Sequence, residues 1–283
     1  MARNKKQEIK ELDFGICHIS MMPILAKPMS YGEVISQMLF GETCRIIEKK
    51  NKYWHKIKTD VCETIGWVNT YQLAYIDADL HKKLKEKMAL SLEVSYPVFN
   101  GENSIYITLG SSLPQYDGIS CRMPYSRFIY NGQAFQEDVM EITQELFVKL
   151  TRRYLFSPEM AGGRSPFGID KGSFIHQVFR LFNIDITRYI DKQIKFGEVV
   201  DFAQLAQIGD IAFFHDINGV IYHAGIIIGH KEIIHVNGYV RIDKFDHNGI
   251  YNRDLKKYTH KLRIIKRLSD LNQQFSKTSA LSR

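Results

Sequence analysis

Cysteine is scarce and one-sided in this chain. The four present are Cys17, Cys44, Cys62 and Cys121, so every residue from 122 to 283 is free of thiols. No two of them stand in a C-x-x-C spacing, which removes a zinc knuckle or a paired redox motif from consideration. Buried, reduced thiols are the simple reading. A long hydrophobic run is also missing: nothing approaches the roughly 20 apolar residues that a membrane helix needs. The segment Met1 to Glu11 is basic and polar, without a stretch of signal-peptide type. As written, a cytoplasmic protein with no membrane partner is expected.

What is present is an ordinary globular balance. The 283 residues carry 45% hydrophobic and 24% charged side chains, enough for two or three modules that need no metal or disulfide. The net charge of +7 comes from 38 basic residues interspersed with 31 acidic ones. That pattern reads as a solvated surface, and no recognition motif points to nucleic acid.

From Phe14 to about Asp77, short apolar segments alternate with turns every ten or so residues, which predicts a small β-barrel over 13–78. Trp54 and Trp67 read as core residues of that barrel. Strand patterns continue through 79–136, taken as a second, degenerate barrel or strand-rich linker domain. Within it Lys82 to Leu90 reads as a short linking helix, and Phe128 to Phe135 as a hairpin about Asn131-Gly132.

From Glu137 the period changes. Val139, Ile142, Leu146, Val148, Leu150 and Tyr154 fit one face of a helix, and Phe174 to Phe182 a second. Strands follow at Ile211–Phe214, Ala224–Gly229, Glu232–His235 and Leu262–Ile265. Helices first and an antiparallel sheet after predict an α+β domain over 137–268. The polar stretch 269–283 reads as a flexible tail.

Several of these segments carry a resemblance. Gly162-Gly163-Arg164-Ser165-Pro166-Phe167-Gly168-Ile169-Asp170, Gly209-Asp210-Ile211-Ala212-Phe213-Phe214, His223-Ala224-Gly225-Ile226, Ile233-Ile234-His235, Val240 to Asp243 and Tyr258 to Arg263 resemble the NlpC-type, papain-like bacterial cell-wall cysteine peptidases. The spacing of Trp54-x-x-Ile57 and Gly66-Trp67-Val68, with Gly15 to Glu42, is similar to the bacterial Src-homology-3-like barrels that precede such domains in Bacteroidetes-type members. The resemblance implies a papain-like C-terminal α+β domain preceded by one or two small all-β barrels.

It also implies a site. His223 falls at the family's general-base position and His235 at that of the orienting residue. The nucleophile position, a cysteine in the family, is Lys171. A thiolate gains from the free N–H groups of a helix N-terminus, whereas a lysine cation meets the unfavourable end of the dipole. Glu159, Met160 and Ala161 replace the family's tyrosine, leucine and tryptophan, and Arg188-Tyr189 replaces an arginine–aspartate pair. Asp170, Glu159, Arg188 and Ser173 are the candidate substrate-binding residues.

The expected function is that of a catalytically inactive relative of γ-D-glutamyl-diamino acid cell-wall peptidases. It would bind a muropeptide, another peptide or, through the barrels, a protein partner. Two alternatives stand beside it. One is a hydrolase using Ser173 or a metal-bound water, although Ser173 is turned roughly 200° around the helix from Lys171. The other is a structural interaction protein with a vestigial cleft. A metal site from His176, His223 and His235 lacks a close-spaced pair such as H-x-x-x-H, and no cofactor is expected. His215, His230, His247 and His260 read as surface or turn residues. Lys171 is expected to pair with Glu159 or Asp170.

Overall fold

The computed structural model describes residues 14–136 and 140–281, with side chains described through 275. The basic N-terminal segment and Val139 of the expected helix lie outside the described residues, as do the starts of the expected units at 13 and 137. The first unit is a seven-stranded sheet. Its strands are β1 (Phe14–Cys17), β2 (Met21–Leu25), β3 (Val34–Leu39), β4 (Thr43–Lys49), β5 (Trp54–Thr59), β6 (Ile65–Asn69) and β7 (Leu73–Ile76), in the order β3-β2-β6-β5-β4-β1-β7. Alternation along β5 and β6 sends Ile57 and Val68 into the core. Trp54 and Trp67 are only half-buried, which corrects their reading as core residues. Trp67 lies instead beneath the ammonium groups of Lys50 and Lys56.

Helix α1 (Ala78–Lys85) leads to the second unit; its N-cap is Asp77, whose side chain accepts from the Leu80 N–H at 2.8 Å. Strands β8 (Met88–Ser91), β11 (Ser112–Pro114) and β14 (Ala134–Phe135) make one sheet. Strands β9 (Ser95–Phe99), β10 (Ser104–Thr108), β12 (Ser120–Arg122) and β13 (Arg127–Ile129) make another. The expected hairpin about Asn131-Gly132 is therefore absent: β13 and β14 belong to different sheets. The cause is Tyr130. Its buried hydroxyl donates to the Gln133 carbonyl at 2.8 Å, and the chain bends around the ring so closely that a Cβ on Gly132 would lie 2.6 Å from it. The two β units share one core, with Ile16, Phe40 and Ile76 of the first packed with Val98, Leu113 and Phe128 of the second.

The C-terminal domain opens with α2 (Gln144–Thr151), which starts where the Thr143 hydroxyl accepts from the Leu146 N–H at 3.0 Å. A two-stranded ribbon, β15 (Arg164–Ser165) and β16 (Gly168–Ile169), runs into α3 (Lys171–Arg180), and α4 (Ile190–Gln193) follows. The main sheet comprises β17 (Glu198–Val200), β18 (Ile211–His215), β19 (Ile221–Gly229), β20 (Glu232–Asn237), β21 (Tyr239–Asp246), β22 (Gly249–Asn252) and β23 (Lys257–Arg267). Because β22 pairs with both β21 and β23, strands β18 to β23 close on themselves. The outer side of β19 and β20 packs on α3 through Ile226, Ile234 and Val236. The inner side holds Phe214, Ile227, Ile233 and Phe245. Residues Ser269–Leu281 form α5 rather than a loose tail: Leu271 is buried, and Phe275 packs edge-on against Phe147.

A buried ionic seam joins the first unit to the C-terminal domain. The Arg164 guanidinium donates to both Glu42 carboxylate oxygens at 2.7 and 2.9 Å and to the Gln37 carbonyl at 2.6 Å. Glu42 also accepts from the Leu39 N–H and faces Arg180 at 3.6 Å. Neither Arg164 nor Glu42 reaches solvent. Removing one partner strands the other's charge where water cannot reach it. Glu42→Ala is expected to lower the unfolding free energy by about 3 kcal/mol in a denaturant titration. A loss under about 1 kcal/mol would mean that the seam tolerates an unpaired guanidinium.

Candidate functional site

Helix α3 begins where the Asp170 carboxylate caps it, accepting from the Ser173 N–H at 2.6 Å. Its apolar residues Phe174, Ile175, Val178 and Phe179 are buried. Gly172 is demanded by a close approach: a Cβ there would stand 1.9 Å from the Arg188 carbonyl oxygen. Arg188 is itself buried. It donates to Asp170, to the Ser173 hydroxyl at 3.2 Å and to the Ile35 carbonyl of β3. Ser173 is 0% exposed. Of the four candidate substrate-binding residues, Ser173 and Arg188 are thus held inside, and Asp170 is tied to the helix cap and to Arg188.

Lys171 is the first residue of α3, and its Nζ stands 3.4 Å from Glu159 Oε1. Glu159 is held in place from the other side. Its Oε2 accepts from the Gly238 N–H at 2.7 Å, and its own N–H donates to the Gly238 carbonyl. Each partner of the ion pair is about one-third exposed, and the Lys171 charge bears on the imidazoles of the site. Asp170, the other expected partner, is taken by Arg188.

The imidazoles themselves form a chain. His223 Nε2 is 2.9 Å from His235 Nδ1, and His235 Nε2 is 3.1 Å from Asp243 Oδ2. All three side chains are buried. The carboxylate can only accept, so His235 carries its proton on Nε2 and leaves Nδ1 bare. His223 must then donate from Nε2, which leaves its own Nδ1 as a lone-pair acceptor. That atom is buried and has no hydrogen-bond partner. Asp243 is fixed in turn by Arg241 at 2.7 and 3.0 Å and by the Arg253 N–H. His260, on β23, lies against His223 with ring centroids 4.0 Å apart. It is buried, correcting its reading as a surface or turn residue, whereas His230 and His247 are exposed in turns.

Burial pushes the His223 imidazole well below its usual range, helped by His235, His260 and the Lys171 cation. Burial also lowers His235, partly offset by Asp243, and pushes His260 down to about 4. Burial alone would raise the Asp243 carboxyl, but hydrogen bonds from His235 and Arg241 hold it well below the usual carboxylate range. The resting site is thus three neutral imidazoles, the Asp243 carboxylate and the Lys171–Glu159 ion pair. His176 does not join them, being engaged with Cys62 at 3.0 Å and the Ile186 carbonyl at 2.5 Å.

A base, an orienting imidazole and a carboxylate, aligned beside the N-terminus of a buried helix, make the proton-handling half of a nucleophilic hydrolase. Residues 158–262 match the NlpC/P60 family. They form an NlpC/P60 domain. A gamma-D-glutamyl-L-lysine dipeptidyl-peptidase of Bacillus subtilis is 26% identical over 215 residues, 71% of this chain and 71% of the relative. The enzyme of the same name from Bacillus cereus is 26% identical over 227 residues, 71% of this chain and 66% of the relative. The chain is therefore a relative of these peptidases. The fold agrees with the crystal structure of an NlpC/P60 family protein from Bacillus cereus, with a TM-score of 0.74, 18% identity, and coverage of 90% of this chain and 99% of that one. An NlpC/P60 endopeptidase from Photobacterium damselae subsp. piscicida superposes with a TM-score of 0.69 at 15% identity, covering 90% of this chain and 71% of that one. The likeness spans the N-terminal β-rich regions as well as the NlpC/P60 domain.

Two members of the cluster had not been assigned a role from the sequence. Asp243 is buried on β21, but Val240 and Ile242 alternate with Arg241 and Asp243 in the sequence, a pattern that places Asp243 on the polar face and so hides its burial. His260 lies in a polar run, Tyr258-Thr259-His260-Lys261, which gives no hint of burial.

The neutral imidazoles set a pH response. Their folded values lie below the unfolded value of about 6.5, so on acidification the unfolded chain takes up protons first. Their contribution to stability is complete above about pH 6.5 and is lost as the pH falls towards about 4, the value for His260. Nitrogen-15 NMR at pH 6 should show His223, His235 and His260 neutral, with the proton on Nε2 of His223 and His235. An imidazolium at any of the three at that pH would contradict this assignment.

Proposed function

We propose that this chain is a non-catalytic NlpC/P60 protein that binds a cell-wall peptide of the γ-D-glutamyl-diamino acid type. The observation that carries this reading is the Lys171–Glu159 pair at the head of α3, the position at which the family resemblance expects a nucleophile. A protonated amine is no nucleophile, and this site holds its charge with a carboxylate instead of burying it bare. Ser173 offers no substitute, since its hydroxyl is buried and bonded to Arg188. The named activity of the two Bacillus relatives supplies the ligand class.

Binding has a physical basis. A partly exposed ion pair is worth only about 0–1 kcal/mol. A peptide bearing a free carboxylate and an ammonium group can therefore displace it, the carboxylate going to Lys171 and the ammonium to Glu159. Below them the bare Nδ1 of His223 can accept an N–H. Calorimetric titration with a γ-D-glutamyl-L-lysine peptide is expected to show saturable binding, weakened about tenfold in Lys171→Glu, equivalent to about 1.4 kcal/mol. No binding at millimolar peptide would favour a structural protein with a vestigial cleft.

Restoring a thiol should not restore an enzyme. Lys171→Cys is expected to leave cleavage of the same peptide at least ~10²-fold below that of the related peptidases, because Glu159, Ala161 and Gly172 still shape the cleft around it. Efficient cleavage by that single variant would show a cleft still built for turnover.

A further inference from the structure

A thiol–imidazole pair lies outside the NlpC/P60 cleft, and it is formed across two domains. Cys62 sits in the loop between β5 and β6, and its Sγ is 3.0 Å from Nε2 of His176 on α3. The other ring nitrogen of His176 faces the Ile186 carbonyl at 2.5 Å. A carbonyl accepts only, so Nδ1 carries the proton and Nε2 is left as the acceptor for the Cys62 S–H. The thiol is thus already hydrogen-bonded to a base of fixed tautomer, while Cys17, Cys44 and Cys121 are buried.

Cys62 also opens onto something. It lines a cavity of about 410 Å³ together with Thr187, Tyr189, Lys192, Lys195 and Phe196. Two lysines and two aromatic rings around one thiol favour a flat or apolar group carrying negative charge. Lys192 Nζ stands 4.9 Å from the centre of the Tyr189 ring. The one acidic residue on the wall, Glu63, is neutralised by Lys58 at 2.5 Å. Burial raises the Cys62 thiol, Glu42 adds to the rise, and the guanidiniums of Arg164, Arg180 and Arg188 act against it. Burial and the same guanidiniums push the His176 imidazole well below its usual range. The resting pair is therefore a neutral thiol on a neutral imidazole, whose Nε2 lone pair can take the proton.

We propose that Cys62 is a thiol-modification site that exchanges with anionic disulfides, with His176 as its base. As Sγ attacks one sulfur of the disulfide, the proton passes to His176 Nε2. One S–S bond forms and one breaks, and the departing thiolate takes the proton from His176. No other oxidant enters. The product places a new group in the seam between the first β unit and α3, so the same step reports on how these two domains sit.

The full chain can be tested with two disulfide reagents, the dianionic dithiobis(nitrobenzoate) and the neutral dithiodipyridine. One thiol per folded chain should react with each, and Cys62→Ser should remove it. The exposed pair Lys192→Gln and Lys195→Gln should slow the anionic reagent about tenfold, while the neutral one changes less than about twofold. His176→Gln should slow both. Reaction at another cysteine, no reaction before global unfolding, or equal effects of the lysine pair on both reagents would overturn the assignment.

Discussion

The carboxylate of Glu42, sealed from solvent between Arg164 and Arg180, ties the first β unit to the ribbon and helix that carry the site. A buried charge tolerates few arrangements, because each unsatisfied oxygen costs more than an ordinary contact returns. Arg164 opens the short ribbon β15–β16. That ribbon delivers Asp170 to the cap of α3, and α3 presents Lys171 to Glu159. Arg188 repeats the logic closer to the site, joining Asp170 and Ser173 to the backbone of β3. The first β unit is therefore a wall of the cleft region rather than an appended module. Its shared core with the second β unit makes that wall stiff.

Within that frame the site keeps half of a mechanism. Asp243, His235 and His223 still pass orientation along a line of hydrogen bonds and end on a bare nitrogen. In a working hydrolase that nitrogen takes a proton from the nucleophile. Here the residue at the head of α3 is a cation paired with Glu159, and it pushes the imidazoles further towards neutrality. On the proposed reading, the bare nitrogen serves as an acceptor for a ligand's N–H, which a peptide supplies.

Much of this was legible in the sequence, and what was not has physical causes. The β-rich start, the α+β finish, the histidine pair and the replacement at Lys171 are local patterns, carried by alternation and by motif. That Lys171 would pair with Glu159 or Asp170 followed from the resemblance and from charge logic, since a cation facing a helix dipole needs a partner. The choice of Glu159 is set by Arg188, which takes Asp170. The hairpin at Asn131-Gly132 failed because Tyr130 imposes a long-range demand on a short-range turn signal. Helix α5 was missed because, among the described side chains, Leu271 and Phe275, four residues apart, carry its apolar face within a polar stretch. The Glu42–Arg164 seam joins residues 122 apart in the chain, beyond the reach of any pattern of spacing.

Whether the cleft holds a peptide without cutting it is decided by turnover. The chain and a His223→Gln variant would be incubated with a γ-D-glutamyl-L-lysine peptide, and the γ-glutamyl bond followed by mass spectrometry. An intact peptide is expected in both samples over times that allow complete digestion by an active relative. Cleavage by the native chain that disappears in His223→Gln would overturn the non-catalytic assignment, because the base would then be serving a nucleophile.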